Sequence, residues 1–506
     1  MALANYFERS ATAIAHVISG YDSSAIADVL NRHTVGLDIG PDAAGPEGEA
    51  LTDLLVRLLA RLYPSLSLSG RATDLDKWRQ LAAAINPKIE LNAEPPDIAV
   101  ALGDARPVGA TVIYAGSRGW DAYVSTETPR SVGSTTNPLG AGAAACLAAA
   151  NVFRSIFDKE PRLDSDLTLS TLHMRRGVTR SSQTPAGLNV GDETVIAGLG
   201  AIGNAVAWAL NRLAPTGTLH LVDPQTVELS NLQRYVLTDA LDIGTAKVTA
   251  IAERCAGLTT VQHETDWAGF VADHGNRWER VIVALDSARD RRAVQATLPR
   301  WIANAWTQSG DLGVSEHPWT SDGACLRCLY LPDEPLPSED KLIARALRIE
   351  RPERELQLRN LLHANGPPPA ELLDEVAHNL DVPRDQLEPF GQRPVRDLYV
   401  QGICGGAVLP LSRLGDVPHD VHVPLAHQSA FAGVLLASRL AAHAVGKAST
   451  TTMVARIDVT RPIQEFATRP AQKDARGLCI CQDAVYQDAY RLKYKTRRRP
   501  QSPVVA

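Results

Sequence analysis

Three sets of residues in this sequence have the types and spacing to do chemistry. The first begins with Gly198-Leu199-Gly200 and Gly203, which let backbone approach an anion closely, and continues to Asp223, whose carboxylate can accept hydrogen bonds from a ribose. A polar run follows, Ser230-Asn231-Leu232-Gln233-Arg234, and after it Lys247. If Ser230 to Arg234 form a helical turn, Asn231 and Arg234 lie three apart on one face. With Lys247 they would surround a triphosphate from the side opposite the glycines. Asp286, in Leu285-Asp286-Ser287, adds a carboxylate suited to magnesium or ATP; its bland alternative is to cap the helix that follows. The second set is Cys325-Leu326-Arg327-Cys328, whose spacing lets both sulfurs reach one tetrahedral metal. Cys479-Ile480-Cys481 is the other half of a four-thiolate zinc site, and a redox pair is the competitor. The third is Cys404, in Gly402-Ile403-Cys404-Gly405-Gly406, where glycine on its C-terminal side allows the close approach a nucleophilic thiolate needs; a buried structural cysteine is the alternative.

The elements that must position these groups are legible as patterns. An apolar run before Gly198, the glycine turn and an Ala/Leu-rich helical pattern after it make a strand, a turn and a helix, whose N-terminus favours an anion. A second apolar run, Thr218 to Val222, ends at Asp223, and a third, Val281 to Leu285, ends at Asp286. Carboxylates at the C-terminal ends of parallel strands face the ligand crevice of an open α/β sheet. This much fits any nucleotide, a nicotinamide dinucleotide included. A Walker-type ATPase is excluded, since no GxxxxGK[ST] occurs.

The order of glycine turn, ribose Asp, SNLQR and a Lys after Asp242-Ile243-Gly244 resembles the ThiF/MoeB and ubiquitin-activating (E1-like) adenylating family, over roughly Val190 to Gln482. The resemblance implies a Rossmann-like α/β adenylation fold binding ATP and Mg2+, with Gly198, Gly200 and Gly203 under the phosphates and Asp223 on the ribose. Asn231, Arg234 and Lys247 would act on the phosphates and Asp286 on magnesium. It further implies Zn2+ at Cys325, Cys328, Cys479 and Cys481, although CxC replaces the family's usual second CxxC. Cys404 would take the acyl group of a ubiquitin-like protein with a C-terminal Gly as a thioester and pass it to an E2-like conjugating partner. The family's Asp-x-Asp at the ribose is Asp223-Pro224-Gln225 here, so the second carboxylate is missing. Two alternatives stand beside this reading: activation of a sulfur carrier, and an NAD(P)-dependent oxidoreductase.

A chain of 506 residues is too long for one ordinary core, and 45% hydrophobic residues are ample for two or three. A net charge of −6 without a long run of one sign leaves no nucleic-acid footprint. With no basic-then-apolar leader and no long apolar span, the chain reads as cytoplasmic, with no membrane partner. Seven cysteines, an odd number, argue against a disulfide framework.

Residues 1–160 copy the plan of strand, glycine-rich turn and helix from Thr34 to Leu62, with a small-residue-rich helix to Phe157 that resembles Leu425 to Ala442. They read as a degenerate, inactive adenylation-like α/β domain, in which Asp42 and Glu47 would repel phosphate; an unrelated α/β domain is the alternative. Family members work as pairs of such folds, one reaching an arginine into the other's ATP site. This domain would supply the pair within one chain, whether monomer or dimer, and Arg9 is the candidate for the reach. Residues 161–189, rich in Ser, Thr, Arg and Asp, read as a linker. The active domain takes 190–330 and 401–482. Between them, 331–400 read as a helical insertion near the catalytic cysteine, its first stretch divided by Pro352. The basic tail, 483–506, reads as disordered.

Overall fold

Thr194-Val195-Ile196-Ala197 is apolar on both faces, and in the computed structural model it forms a wholly buried strand, as a central parallel strand must. The structure describes residues 3–18, 23–70, 75–91, 95–108, 111–178, 187–308, 310–319, 323–331, 339–349, 351–404, 423–449, 451–464 and 466–495. The chain divides into two compact units. One comprises Met1–Phe7, Ala27–Leu331 and Pro424–Ala506; the other comprises Glu8–Ile26 and Pro332–Val423.

The first unit is built on two sheets. The strands of the first are β1 (Val35–Ile39), β2 (Ser65–Gly70), β3 (Glu90–Leu91), β4 (Ile98–Leu102), β5 (Thr111–Arg118), β6 (Asp121–Ser125), β7 (Asp166–Ser170) and β8 (Arg175–Arg176). Those of the second are β9 (Thr194–Ala197), β10 (Thr218–Val222), β11 (Thr259–His263), β12 (Arg280–Val283), β13 (Trp301–Gln308), β14 (Asp311–Pro318), β15 (Met453–Ile457) and β16 (Ala467–Pro470). The orders are β3-β2-β1-β4-β5-β6-β7-β8 and β11-β10-β9-β12-β13-β14-β15-β16, so the first sheet repeats the second strand for strand. The sense of pairing repeats as well. The first five strands of each order are parallel, and each remaining strand is antiparallel to its neighbour.

Each sheet carries a long helix of small residues between its sixth and seventh strands, Leu139–Phe157 and Ala426–Ala444. The two pack on each other, and Ala426–Ala444 packs also on the helix after the glycine turn, Ala201–Leu213. Small side chains set the separation: a Cβ on Gly433 would stand 2.5 Å from the Ala205 Cβ. Leu139–Phe157 is long and apolar enough to cross a membrane, but 89% of it is buried within this core.

Two segments depart from the sequence reading. Residues 166–176 are strands β7 and β8 rather than linker, because Asp166-Leu167-Thr168-Leu169 alternates and buries Leu167 and Leu169. Within the basic tail, Ala484–Lys495 is a helix. Tyr494 Oη donates to the carbonyls of Trp278 and Leu298, at 3.0 and 3.1 Å, and Lys493 Nζ donates to that of Thr297 at 2.6 Å. Its Tyr and Lys stems supply both apolar cover and donors, which a composition argument counts only as charge.

The second unit is helical. Glu339–Ala346, Pro352–Ala364 and Ala370–Leu380 enclose a core of Ile343, Leu347, Leu358, Leu372, Val376 and Leu387, with Pro352 at the first turn of its helix. That core extends to Val395 and Leu398, so this unit takes in the π-helical segment Leu398–Cys404 instead of ending at 400. It also takes the helix Phe7–Val17 from Glu8 onward, and the Val423 amide donates to His16 Nδ1 at 3.3 Å.

Candidate functional site

At the C-terminal edge of the second sheet the chain turns from β9 into Ala201–Leu213 through Gly198, whose φ of +90° belongs to glycine, and Gly200, which caps the helix. A Cβ on Gly203 would stand 2.2 Å from the Gly198 carbonyl oxygen, so only glycine lets the helix sit this close behind the turn. In front of Gly200 the nearest atom is the Tyr235 hydroxyl, 3.6 Å from where a Cβ would be. Asn204 ties the turn together, its Nδ2 donating to the carbonyls of Leu199 and Gly200, at 2.9 and 3.2 Å.

Asp223 follows β10 and is 6% exposed. Its Oδ2 accepts from the Leu199 amide at 2.7 Å and its Oδ1 from the Gln225 amide at 2.9 Å. Lys247 opens the helix Lys247–Arg254, and its Nζ lies 4.0 Å from Asp223 Oδ1 while donating to Gln225 Oε1 at 2.7 Å. Gln225, where the family pattern has its second carboxylate, thus holds the lysine. Burial works against the Lys247 charge, but Tyr235 and Asp223 outweigh it and hold the ammonium above the ordinary lysine range.

Leu229–Asn231 is a short turn that runs on, the amides of Arg234 and Tyr235 both donating to the Asn231 carbonyl at 3.0 and 3.1 Å. The helical turn expected there is present. Asn231 spends its Oδ1 on the Glu228 amide at 3.0 Å and turns its Nδ2 to Ser230 Oγ at 3.5 Å, so the side chain holds the turn. Enclosure by protein lowers the Arg234 pKa, with Tyr235 and Asp286 acting the other way. Arg234 and Lys247 both stand over the Tyr235 ring, 5.9 and 5.3 Å from its centroid. Asp286 is exposed, and Ser287 rather than Asp286 caps Ala288–Ala296, accepting from the Asp290 amide at 2.9 Å. Its carboxylate therefore has no capping duty.

The four cysteines of the expected zinc site come together, all sulfurs within 4.8 Å of one another. Cys325 Sγ is 3.4 Å from Cys479 Sγ, and Cys328 Sγ is 3.4 Å from Cys481 Sγ. A tetrahedron with metal–sulfur bonds of about 2.3 Å has edges of about 3.8 Å, so these residues fit zinc. Hydrogen bonding to Cys325 and Cys479 lowers the Cys328 thiol pKa, the direction a metal-binding thiolate needs.

Gly198, Gly200, Gly203, Asp223, Asn231, Arg234, Lys247 and Asp286 all lie in the first unit, whereas Arg9 and Cys404 belong to the second. The Cys404 side chain lies outside the described residues, as does 405–422. In the first sheet, the counterpart of the glycine turn is filled by the protein's own anions. Glu47 is wholly buried and accepts from Ser117 Oγ, the Gly119 amide, the Thr135 amide and Thr135 Oγ1, at 2.8, 2.9, 3.0 and 2.6 Å. Asp42 accepts from the Asp104 and Val132 amides, at 2.8 and 3.2 Å.

Sequence reasoning sees Gln225 only as a missing carboxylate and misses Tyr235, Arg57 and Arg61. The last two carried a signal, a pair of arginines four apart in the otherwise apolar Leu54-Leu55-Val56-Arg57-Leu58-Leu59-Ala60-Arg61-Leu62. Nothing in that pattern says which distant segment they serve.

The profile of the ThiF family matches residues 192–474, and that of Prokaryotic E2 family C matches residues 40–158. The chain is 41% identical over 523 aligned positions to Uncharacterized protein y4jF of Sinorhizobium fredii, covering 100% of both. It is 30% identical over 158 residues to the sulfur carrier protein ThiS adenylyltransferase of Escherichia coli, which covers 29% of this chain and 61% of that protein. It is 26% identical over 160 residues to the NEDD8-activating enzyme E1 catalytic subunit of Saccharomyces cerevisiae, covering 29% of this chain and 54% of that protein.

Proposed function

The chain belongs to the ThiF family of E1-like adenylating enzymes, and from that premise we propose that it activates the C-terminal carboxylate of a ubiquitin-like protein with ATP and captures it on Cys404. The observation that carries the nucleotide half of this reading is the convergence of the Gly198–Gly200 turn, Asp223, Arg234 and Lys247 about Tyr235, with Lys247 Nζ 4.0 Å from Asp223 Oδ1. Asp223 would accept from the ribose, while the turn and helix N-terminus meet phosphate oxygens. The carrier's carboxylate oxygen attacks the α-phosphorus, the bond to pyrophosphate breaks, and an acyl adenylate forms. Arg234 and Lys247 neutralise charge that builds on the phosphates, and the enclosing chain fixes both reactants in line. Asp286 would hold magnesium, whose chemistry is to neutralise and orient the phosphates. The Cys404 thiolate then attacks the acyl carbon, AMP leaves with the bonding pair, and the thioester passes to an E2-like partner.

The repeat of the strand order supports reading the first sheet as a twin of the adenylation fold whose own phosphate cradle is closed by Asp42 and Glu47. The Prokaryotic E2 match does not bring a conjugating cysteine with it. The one cysteine of 40–158 is Cys146, in the middle of Leu139–Phe157, 1% exposed and with burial raising its thiol pKa well above the usual range. The sulfur-carrier alternative draws on the likeness to the ThiS adenylyltransferase, and the oxidoreductase alternative is set aside with the family assignment.

ATP–pyrophosphate exchange that depends on a Gly-ended carrier tests the reading, and its absence sinks it. A carrier adduct cleaved by thiol reagents and lost in Cys404→Ser, with exchange retained, separates thioester capture from activation alone.

A further inference from the structure

Helix Pro46–Leu62 belongs to the first sheet, yet the Arg61 guanidinium on it is spent on the second. Nε donates to the Leu232 carbonyl at 3.1 Å, and Nη2 donates to those of Tyr235 and Thr238 at 2.6 and 2.7 Å. Nη1 turns back to the Arg57 carbonyl at 2.7 Å, and Arg57 Nη1 in turn donates to the Val236 carbonyl at 2.8 Å. Arg61 is 2% exposed, so without it three buried carbonyls lose a donor in a place water does not reach.

The segment gripped in this way carries Arg234 and Tyr235. Tyr235 backs both Arg234 and Lys247 with its ring, and its hydroxyl faces Gly200. The far end is tied as well, since the Leu237 amide donates to Asn204 Oδ1 at 3.3 Å and Asn204 holds the glycine turn. Arg57 and Arg61 therefore complete a frame whose other sides are the glycine turn and Lys247.

We propose that Arg61 is a positioning residue for the triphosphate grip: by fixing the main chain of 232–238 it aims Arg234 and the Tyr235 ring, and through that ring the Lys247 ammonium. The first sheet thus acts on the second sheet's nucleotide site without touching the nucleotide. This rests on the adenylation reading above. A frame of this kind has a specific signature. It governs phosphates, which Arg234 and Lys247 meet, and not the nucleoside, which Asp223 meets from a strand end that Arg61 does not reach.

The test is to titrate the full-length protein with ATP and, separately, with adenosine, in wild type, Arg61→Gln and Arg61→Lys. Arg61→Gln weakens ATP binding by at least about tenfold, the loss of roughly one charge-assisted hydrogen bond, and leaves adenosine binding within about twofold. Arg61→Lys, which keeps the charge and can still reach a carbonyl, falls between. If Arg61→Gln does not fold, the ATP-to-adenosine ratio is read in Arg61→Lys. Affinities for ATP and adenosine that change together, or neither changing, overturn the positioning role while leaving the adenylation reading intact. A wild type that does not prefer ATP to adenosine sinks the adenylation reading, and this inference with it.

Discussion

Stripping the metal from the four-cysteine cluster should free the C-terminal helix and leave both sheets folded. Apart from the cysteines, Ala484–Lys495 is held by a few bonds: Trp319 Nε1 to Gln487 Oε1 at 3.1 Å, Tyr490 Oη to the Arg300 carbonyl at 3.2 Å, and the Tyr494 and Lys493 contacts described above. At about 1 kcal/mol net each, these five bonds contribute about 5 kcal/mol, whereas a structural zinc on thiolates contributes about 10 kcal/mol or more. The metal therefore dominates, and it joins segments far apart in sequence, Cys325 and Cys328 to Cys479 and Cys481. Trp319, stacked on Tyr490 at 5.4 Å, is a built-in reporter. Chelation should release one zinc per chain, shift Trp319 fluorescence and open 470–495 to protease, with Cys328→Ser doing the same without chelator. A protein shown to be metal-free by elemental analysis, yet with unchanged proteolysis and fluorescence, would refute the reasoning.

Lys247→Met and Arg234→Ala should each lower kcat/KM for ATP in pyrophosphate exchange by about 10- to 100-fold, from about 1.5–3 kcal/mol per charge-assisted bond. Because the folded Lys247 pKa is raised, its charge is fully present below the unfolded lysine value and is lost only as pH rises through the folded one. ATP affinity measured between about pH 6 and pH 9 should show no lysine titration, and a fall within that range would count against the site. Gly203→Val drives its side chain into the Gly198 carbonyl, where a Cβ alone would stand at 2.2 Å. It should cost about 1–3 kcal/mol in denaturant unfolding and abolish nucleotide binding; an unchanged midpoint would contradict the packing. Burial holds His317 down to about 4, so the unfolded chain takes up a proton that the folded one refuses. Stability is then full above the unfolded histidine value near 6.5 and declines as pH falls toward 4, by about 3 kcal/mol at the limit. His317→Gln should flatten that slope in acid titrations, and an unchanged slope would assign it elsewhere.

The parts of the molecule legible in the sequence are those where local pattern and tertiary role coincide. The run into Gly198, the strand ending at Asp223 and the proline dividing the insertion at Pro352 are fixed by nearest neighbours, and they stand as the pattern indicated. Residues 166–176 were misread because Ser and Thr serve linkers and strands alike, and only pairing with β6 decides between them. The C-terminal helix was misread because lysine and tyrosine count as solvated until a groove of carbonyls is present to receive them. At the site, motif residues were visible individually. The Tyr235 platform was not, since it depends on how Lys247 and Gly200 fold onto one ring, and the Arg61 clasp was not, since it joins segments more than 170 residues apart.

The two like sheets meet through helices of alanine and glycine within a single polypeptide. Joining the halves covalently makes their encounter a first-order event, insensitive to dilution. It also relieves the sequence of self-complementarity: a symmetric pair must keep every useful residue on both copies, whereas here one copy can surrender its phosphate cradle to Asp42 and Glu47 and devote arginines to bracing its sibling. Division of labour of that sort is closed to a homodimer, where any substitution appears twice.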